Sequence, residues 1–492
     1  MPHESSCPLM PPAAPVTLII FGGTGDLALR KIYPALSSLC RASLLSPETR
    51  ILAVGRKNFT TETFTAHLAE KLSGTIPSEC LTELSLHISY LQLNPDHTDA
   101  GQKLATKLQN LGPGSNTQNK LFYLAVPPGA YTSLATLIGE AGLAKEQNGA
   151  SVRLVVEKPF GRDLATAREL DSTLHKYFNE SQIFRIDHYM AKETVQNVLL
   201  LRFANAMFEP LWNRRYIDHI RITASETLGI GHRAEFYDQA GVLRDMFQNH
   251  MMMLLALCAM EPPSLFEAEL VREERSKVYR ALRPFDLEHI DDHLVLGQYG
   301  PGLIDGKLVP GYIQEPGINP TSTTPTFAWM KIFLDNWRWQ GVPFYITSGK
   351  RLDRKHTEIE VQFKSVPVSM FRNTHGASIS PNKLVLGIYP DEVVRLSIQT
   401  KGPGSQLCLQ EQFMEFAYGV QETLLRVDDY AKVLLDCING DQTLFWRQDA
   451  VELCWGFLTP ILENCDCLGK LPLYLYPSGS AGPKTGCPVR QP

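Results

Sequence analysis

From residue 16 to about 186 the chain alternates short apolar runs with amphipathic stretches. VTLIIF, RILAVG, NKLFYLAV and VRLVVE are four compact runs rich in β-branched residues. Around them LALRKIYPALSSLCRA, TTETFTAHLAEKL, HTDAGQKLATKLQNL, YTSLATLIGEAGL and LATARELDSTLHKYF carry apolar residues at helical spacing. Near-continuous apolar strands alternating with helices predict a parallel sheet covered on both faces. After about residue 190 the pattern changes. A helix, KETVQNVLLLRFANAMF, leads into the alternating run IDHIRITASET, and a second helix follows in AGVLRDMFQNHMMMLLALCAM. Beyond a Gly/Pro/Thr-rich stretch at 299–326 come FAWMKIFLD, VPFYITSG, TEIEVQFKS, NKLVLGIYP, EVVRLSIQT and SQLCLQEQF, strand-like runs joined by short turns. These predict a large, mainly antiparallel sheet. Helices return at 426–438 and 444–463.

The expected architecture is therefore α/β followed by α+β. A flexible segment spans 1–15, a doubly wound parallel domain 16–187, an α+β domain 188–476 and a loose Pro/Gly-rich tail 477–492.

Composition narrows the partners. With 492 residues, 44% hydrophobic and 20% charged, the chain can bury a substantial core, and a formal net charge of -5 argues against a nucleic-acid partner. An anion site must therefore be a local cluster. The ten cysteines form no CxxC pair, and no His or Cys near Cys465 and Cys467 completes a tetrahedral set, so no metal is expected. The N-terminus lacks a basic region followed by an apolar core, and the longest apolar run, MMMLLALCAM, is about half a membrane span. A cytoplasmic protein with no membrane partner is expected.

The first strand runs into FGGTGDLALRKIYPAL. Gly23, Gly25 and Ala28 fit G-x-G-x-x-A, while Gly22, Gly25 and Ala28 fit a looser form. Glycines between a strand and a helix let backbone N–H groups approach a pyrophosphate at the helix N-terminus, the Rossmann-type arrangement. A tight ligand-free turn is the plain alternative. The second strand ends in Gly55, Arg56 and Lys57, where an NAD site would offer an acid; an arginine there suits the 2′-phosphate of NADP. The third and fourth of these strands end in Pro127-Pro128 and Lys158-Pro159, on loops that line such a crevice.

RIDHYMAKETVQN gathers Arg185, Asp187, His188, Tyr189 and Lys192, which suit either a solvated helix face or a site. Helical spacing would set His188 and Lys192 one turn apart, a grip for a phosphate dianion. In AGVLRDMFQNHMMMLL the apolar stripe Leu243, Met246, Phe247, Met251 and Leu254 includes His250, flanked by Asp245 and Asn249. A buried structural histidine and a general base both fit that position.

These motifs, with VVEKPFG, DNWRWQGVPFYITSGKRL and YPSGSAGP, strongly resemble the glucose-6-phosphate dehydrogenase family over nearly the whole chain and in the family's order. The resemblance implies oxidation of β-D-glucose 6-phosphate at C1 with NADP+, giving 6-phospho-D-glucono-1,5-lactone and NADPH. It implies His250 as general base and Asp187 as its paired carboxylate. It implies His188, Tyr189, Lys192 and Lys355 around the sugar phosphate, and Lys158, Glu226, Asp245 and Lys350 on the sugar hydroxyls. On the cofactor side it implies Gly22, Gly25, Asp26, Leu27, Arg56 and Lys158, to which the turn adds Gly23 and Thr24 and the third loop adds Pro127. A homodimer or homotetramer is implied as well. Another NADP-linked sugar-phosphate dehydrogenase is the alternative reading. Two departures, Ala191 where the family often has glycine and GGTGDL where it commonly has GASGDL, remove no chemical group these roles need.

Overall fold

The structure is a computed structural model that describes residues 11–111, 119–371, 379–405, 407–417, 428–466 and 471–484; the side chains of His188, His232, Cys465 and Asp466 lie outside that description. Its first sheet has six parallel strands: β1 Val16–Phe21, β2 Arg50–Gly55, β3 Ile88–Gln92, β4 Asn119–Leu124, β5 Val152–Val156 and β6 Ile183–Arg185. Their order is β3-β2-β1-β4-β5-β6. The direction of strand succession reverses between β1 and β4, so the loops after those two strands diverge and leave a crevice at their carboxyl ends. The four expected runs are β1, β2, β4 and β5. The two short strands toward the edges, β3 and β6, complete the sheet.

The second sheet has nine strands: β7 Ile217–Ser225, β8 Leu294–Gly300, β11 Phe327–Ile332, β12 Phe344–Gly349, β13 His356–Phe363, β14 Lys383–Tyr389, β15 Val393–Lys401, β16 Leu409–Ala417 and β17 Leu473–Pro477. A small hairpin, β9 Gly302–Ile304 and β10 Lys307–Val309, stands apart within the Gly/Pro/Thr-rich stretch. The large sheet runs β16-β15-β14-β13-β7-β12-β11-β8-β17 and is antiparallel except for the pairs β7–β12 and β8–β17. Its β13 to β16 portion is the meander that the short turns predict.

Three local expectations change. The helix over AGVLRDMFQNHMMMLLALCAM is not uniformly α. Gly241 (φ 59°) turns the chain sharply, a π-helix covers Leu243–Met251, and an α-helix continues over Met252–Ala259. A π-turn advances each residue by less angle than an α-turn, so Asp245, Gln248, Asn249 and His250 are all buried instead of splitting between two faces. His188 and Lys192 do not share one helix. Residues His188–Ala191 form a 3-10 turn, Lys192 is extended (ψ 127°), and the α-helix begins at Glu193. The tail is not loose over 477–484. Ser478 is buried and its hydroxyl donates to the Gly300 carbonyl, while the Gly479 N–H donates to Arg351.

The helix Asp429–Asn439 crosses back and buries Tyr430, Ala431, Leu434, Leu435 and Ile438 against the helix Tyr33–Arg41 and the first sheet. A segment late in the chain thus closes the core of the first domain. Among the described residues no helix is long and apolar enough to cross a membrane, and no group of three or more His, Cys, Asp or Glu could hold a metal ion.

Candidate active site

At the end of β6 the chain turns at Asp187, whose carboxylate accepts the Tyr189 backbone N–H at 3.0 Å and caps the 3-10 turn. The same Oδ1 lies 2.5 Å from Nδ1 of His250, carried on the π-helix sixty-three residues downstream. A carboxylate only accepts, so Nδ1 carries the proton and Nε2 presents its lone pair. Lys158, just past β5, donates to that Nε2 at 2.6 Å. Its ammonium also reaches the Asp245 carbonyl at 3.1 Å and the Asp245 carboxylate at 3.6 Å. Lys158, expected on a crevice loop at the sugar and cofactor, therefore stands directly on the imidazole.

Both His250 and Asp187 are almost completely buried. Burial is the main influence on the imidazole and lowers its pKa below 6.5; Asp187 opposes this and Lys158 adds to it. The ring is thus held neutral with one lone pair directed at a cation. Tyr189 stacks on it with ring centroids 4.1 Å apart. Around Asp245 burial favours the neutral acid, but Lys158 and Lys350 outweigh it and hold the carboxyl below its usual range. Lys350, buried beyond β12, forms an ion pair with Glu226 just past β7, and its ammonium lies 5.1 Å from the Tyr237 ring. Direct contacts link Asp187, His250, Lys158 and Asp245, and Lys350, which acts on Asp245 electrostatically, extends this belt to Glu226.

A second group adjoins it. Lys192 lies 5.2 Å from the Tyr189 ring and 5.4 Å from that of Tyr389, and Lys355 lies 4.2 Å from the same Tyr389 ring. Burial lowers the Lys192 pKa, and Lys355 pushes it the same way. Two ammoniums thus converge on one tyrosine ring, a good place for a dianion. The expected His188 side chain lies outside the described portion. Tyr389, Tyr237 and Asn249, whose Oδ1 accepts the His250 backbone N–H at 2.7 Å, were not singled out as site groups by the sequence reading. No spacing rule marks a tyrosine at a strand end, and only proximity identifies it.

The glycine turn lies at the other end of the crevice. Gly22 has φ +79°, and a Cβ there would sit 2.2 Å from the Ala125 carbonyl oxygen, so only glycine fits. The Gly22 and Gly23 N–H groups donate to Val54, and the Gly25 N–H donates to Gly22. Thr24 is half-buried beside Gly55. Asp26 forms an exposed ion pair with Arg30, and Leu27 packs on the core. Arg56 and Lys57 are exposed just past β2, and Pro127 is exposed at the end of β4. The cofactor-side residues therefore line the carboxyl edge of the first sheet, apart from the belt except at Lys158.

Sequence models of two domains match the chain in order: "Glucose-6-phosphate dehydrogenase, NAD binding domain" over residues 19–197 and "Glucose-6-phosphate dehydrogenase, C-terminal domain" over 199–488. A glucose-6-phosphate 1-dehydrogenase of Treponema pallidum is 43% identical over 478 residues, covering 96% of this chain and 92% of the relative. That of Aggregatibacter actinomycetemcomitans is 42% identical over 95% of this chain and 94% of its own length. A solved glucose-6-phosphate dehydrogenase in complex with glucose 6-phosphate superposes with a TM-score of 0.88 at 31% identity, over 97% of both chains. With both domain models matched in order and relatives similar from end to end, the chain belongs to the glucose-6-phosphate dehydrogenase family.

Proposed function

We propose that this chain oxidises D-glucose 6-phosphate at C1 with NADP+ as the preferred acceptor, using His250 as general base and Asp187 as its partner. Its family membership carries the reaction class, glucose-6-phosphate dehydrogenase activity of an NAD(P)-dependent oxidoreductase. The observation that carries the residue roles is the buried Asp187–His250–Lys158 chain, flanked by the belt of acids and lysines.

The acceptor, when bound, takes the hydride from C1. The protein must remove the C1 hydroxyl proton. His250 is suited to this because burial keeps it neutral and Asp187 fixes the free lone pair on Nε2. Lys158 occupies that lone pair without substrate, so the C1 hydroxyl takes its place as Lys158 turns to the sugar. Once His250 holds the proton, Asp187 offsets the new charge. Asp245, Glu226 and Lys350 hold the sugar hydroxyls; Lys192 and Lys355, with His188 and Tyr189, hold the phosphate. Gly22, Gly23, Thr24, Gly25, Asp26 and Leu27 would hold the pyrophosphate side of the dinucleotide, with Pro127 and Lys158 nearer its reacting end. The close packing at Gly22 fits this role, since it leaves backbone with no side chain at the turn. Arg56 and Lys57, exposed cations past β2, favour a 2′-phosphate.

Assembly as a homodimer or homotetramer is part of this reading. The edge strand β16 exposes Phe413, Met414 and Phe416, a surface that favours self-association. A cytoplasmic location is proposed with it. The direct test is purified protein with glucose 6-phosphate and either NADP+ or NAD+, read by absorbance of the reduced nicotinamide. Reduction is expected with both, faster with NADP+ at limiting concentration. No reduction with either rejects the activity, and a clear NAD+ preference rejects the role given to Arg56.

A further inference from the structure

β7 and β13 run antiparallel, and the last pair of their ladder is Ser225 opposite His356. Each is the sequence neighbour of a residue assigned to the substrate: Glu226 follows Ser225, and Lys355 precedes His356. Successive side chains of a strand point to opposite faces. Ile359 accordingly lies in the core, whereas His356, Glu358 and Glu360 line a cavity on the other face together with Arg221, Thr223 and Ser225. Ser225 and His356 therefore sit behind the sheet, away from the substrate.

Ser225 is buried, and its hydroxyl meets four polar atoms, the farthest being the His356 carbonyl at 3.4 Å. It donates to the Arg354 carbonyl at 2.7 Å, lies 2.5 Å from Nδ1 of His356 and accepts the His356 backbone N–H at 3.3 Å. A hydroxyl has one proton, and with that given to Arg354 the imidazole must donate at Nδ1. The ring's other nitrogen faces the Glu358 carboxylate at 3.8 Å and does not compete for the serine. One oxygen thus gathers the backbone before and after Lys355 and ties it to the strand end that carries Glu226. Beyond this pair the ladder is open, and Glu226 turns to bond the Gly349 carbonyl with its N–H.

We propose that Ser225 and His356 are positioning residues that hold Lys355 and Glu226 in mutual register from the far face of the sheet, setting affinity for the phosphorylated sugar and not the rate of hydride transfer. The proposal rests on the assignment of Glu226 and Lys355 to the substrate, and the test separates the two. Ser225→Ala, His356→Ala and His356→Asn are compared with Glu226→Gln and Lys355→Met by steady-state kinetics, with a melting temperature for each. Ser225→Ala and His356→Ala are expected to raise KM for glucose 6-phosphate about fivefold, the share of one neutral buried hydrogen bond. Turnover and KM for the dinucleotide should stay within about twofold, since neither residue touches the reacting atoms. His356→Asn, whose amide nitrogen falls near Nδ1, should recover most of the loss. Unchanged KM in folded Ser225→Ala and His356→Ala, while Glu226→Gln and Lys355→Met raise it, overturns the positioning role alone. Losses in kcat and in both KM values that track melting temperature also overturn it, because that is general loosening. Unchanged KM in Glu226→Gln and Lys355→Met overturns the substrate assignment and the proposal together. If His356→Ala does not fold, Ser225→Ala, which removes a single oxygen, decides the matter.

Discussion

The two halves of the site are built on different plans. His250 is held from both edges, by Asp187 at 2.5 Å and by Lys158 at 2.6 Å, and is almost completely buried. Lys192 and Lys355 rest instead on tyrosine rings, and Tyr389, which both approach, is 39% exposed. A cation over a ring is held by about 0.5–2 kcal/mol, less than a charge-assisted hydrogen bond to an oxyanion offers. On the proposed roles, the proton-handling half is thus preorganised before substrate arrives. The half proposed for the phosphate keeps its cations weakly engaged, so that little would be lost if a dianion took them.

This contrast can be broken most severely at His250. His250→Asn should lower kcat by about 10²–10⁴-fold while substrate affinity changes little, measured by initial rates and direct binding. Near-normal turnover would remove the residue from the base role. Asp187→Asn should lower kcat by about 10²-fold, because the amide no longer fixes the tautomer or offsets the imidazolium charge.

Lys192→Met should act in the opposite manner, raising KM for glucose 6-phosphate about 10- to 100-fold with a smaller change in kcat. If kcat falls as much as for His250→Asn, the two halves are not separate. A pH profile sharpens the point. Burial lowers the His250 pKa, so the neutral, active base persists as pH falls through 6.5. The acid limb of kcat/KM should therefore lie below 6.5, falling about tenfold per pH unit. Asp187 raises that pKa, so Asp187→Asn should move the limb to still lower pH, while Lys192→Met should leave it in place. A limb unmoved in Asp187→Asn would argue against His250 as the titrating group. The smallest effect is expected at Arg56→Ala, which should reduce the preference for NADP+ over NAD+ about tenfold and leave kcat for glucose 6-phosphate oxidation nearly unchanged.

How far each region was legible follows from where its information lies. β1, β2, β4 and β5 are apolar along nearly their whole length because helices cover both faces, and that is visible one residue at a time. ISYLQ and IFR, which form β3 and β6, are short and near the edges, so their patterns fall below what periodicity resolves. The glycine turn was legible because a close approach of backbone demands glycine whatever the rest of the fold does. His250 was legible as an inward-facing histidine that fits a structural role or a base, and the family resemblance is what pointed to the base. Lys158 was legible as a cation on a crevice loop, which the resemblance assigned to sugar and cofactor but not to the imidazole, and Tyr389 only as the end of a strand.

The sequence by itself determined the order of the two sheets, the phosphate-type turn after β1, the basic end of β2 and the residue types available for proton transfer. These are local properties, written in spacing over a few residues. Only the tertiary structure decided that Asp187 meets His250 across sixty-three residues, that Lys158 caps the imidazole, and that Lys192 and Lys355 converge on Tyr389. It also decided that the π-helix buries seven consecutive polar and apolar positions, Asp245 to Met251, against the stripe that α-helical spacing predicts. The reason is physical. A hydrogen bond between distant segments depends on where a whole sheet and helix place two backbones to within an ångström, and no local pattern carries that distance.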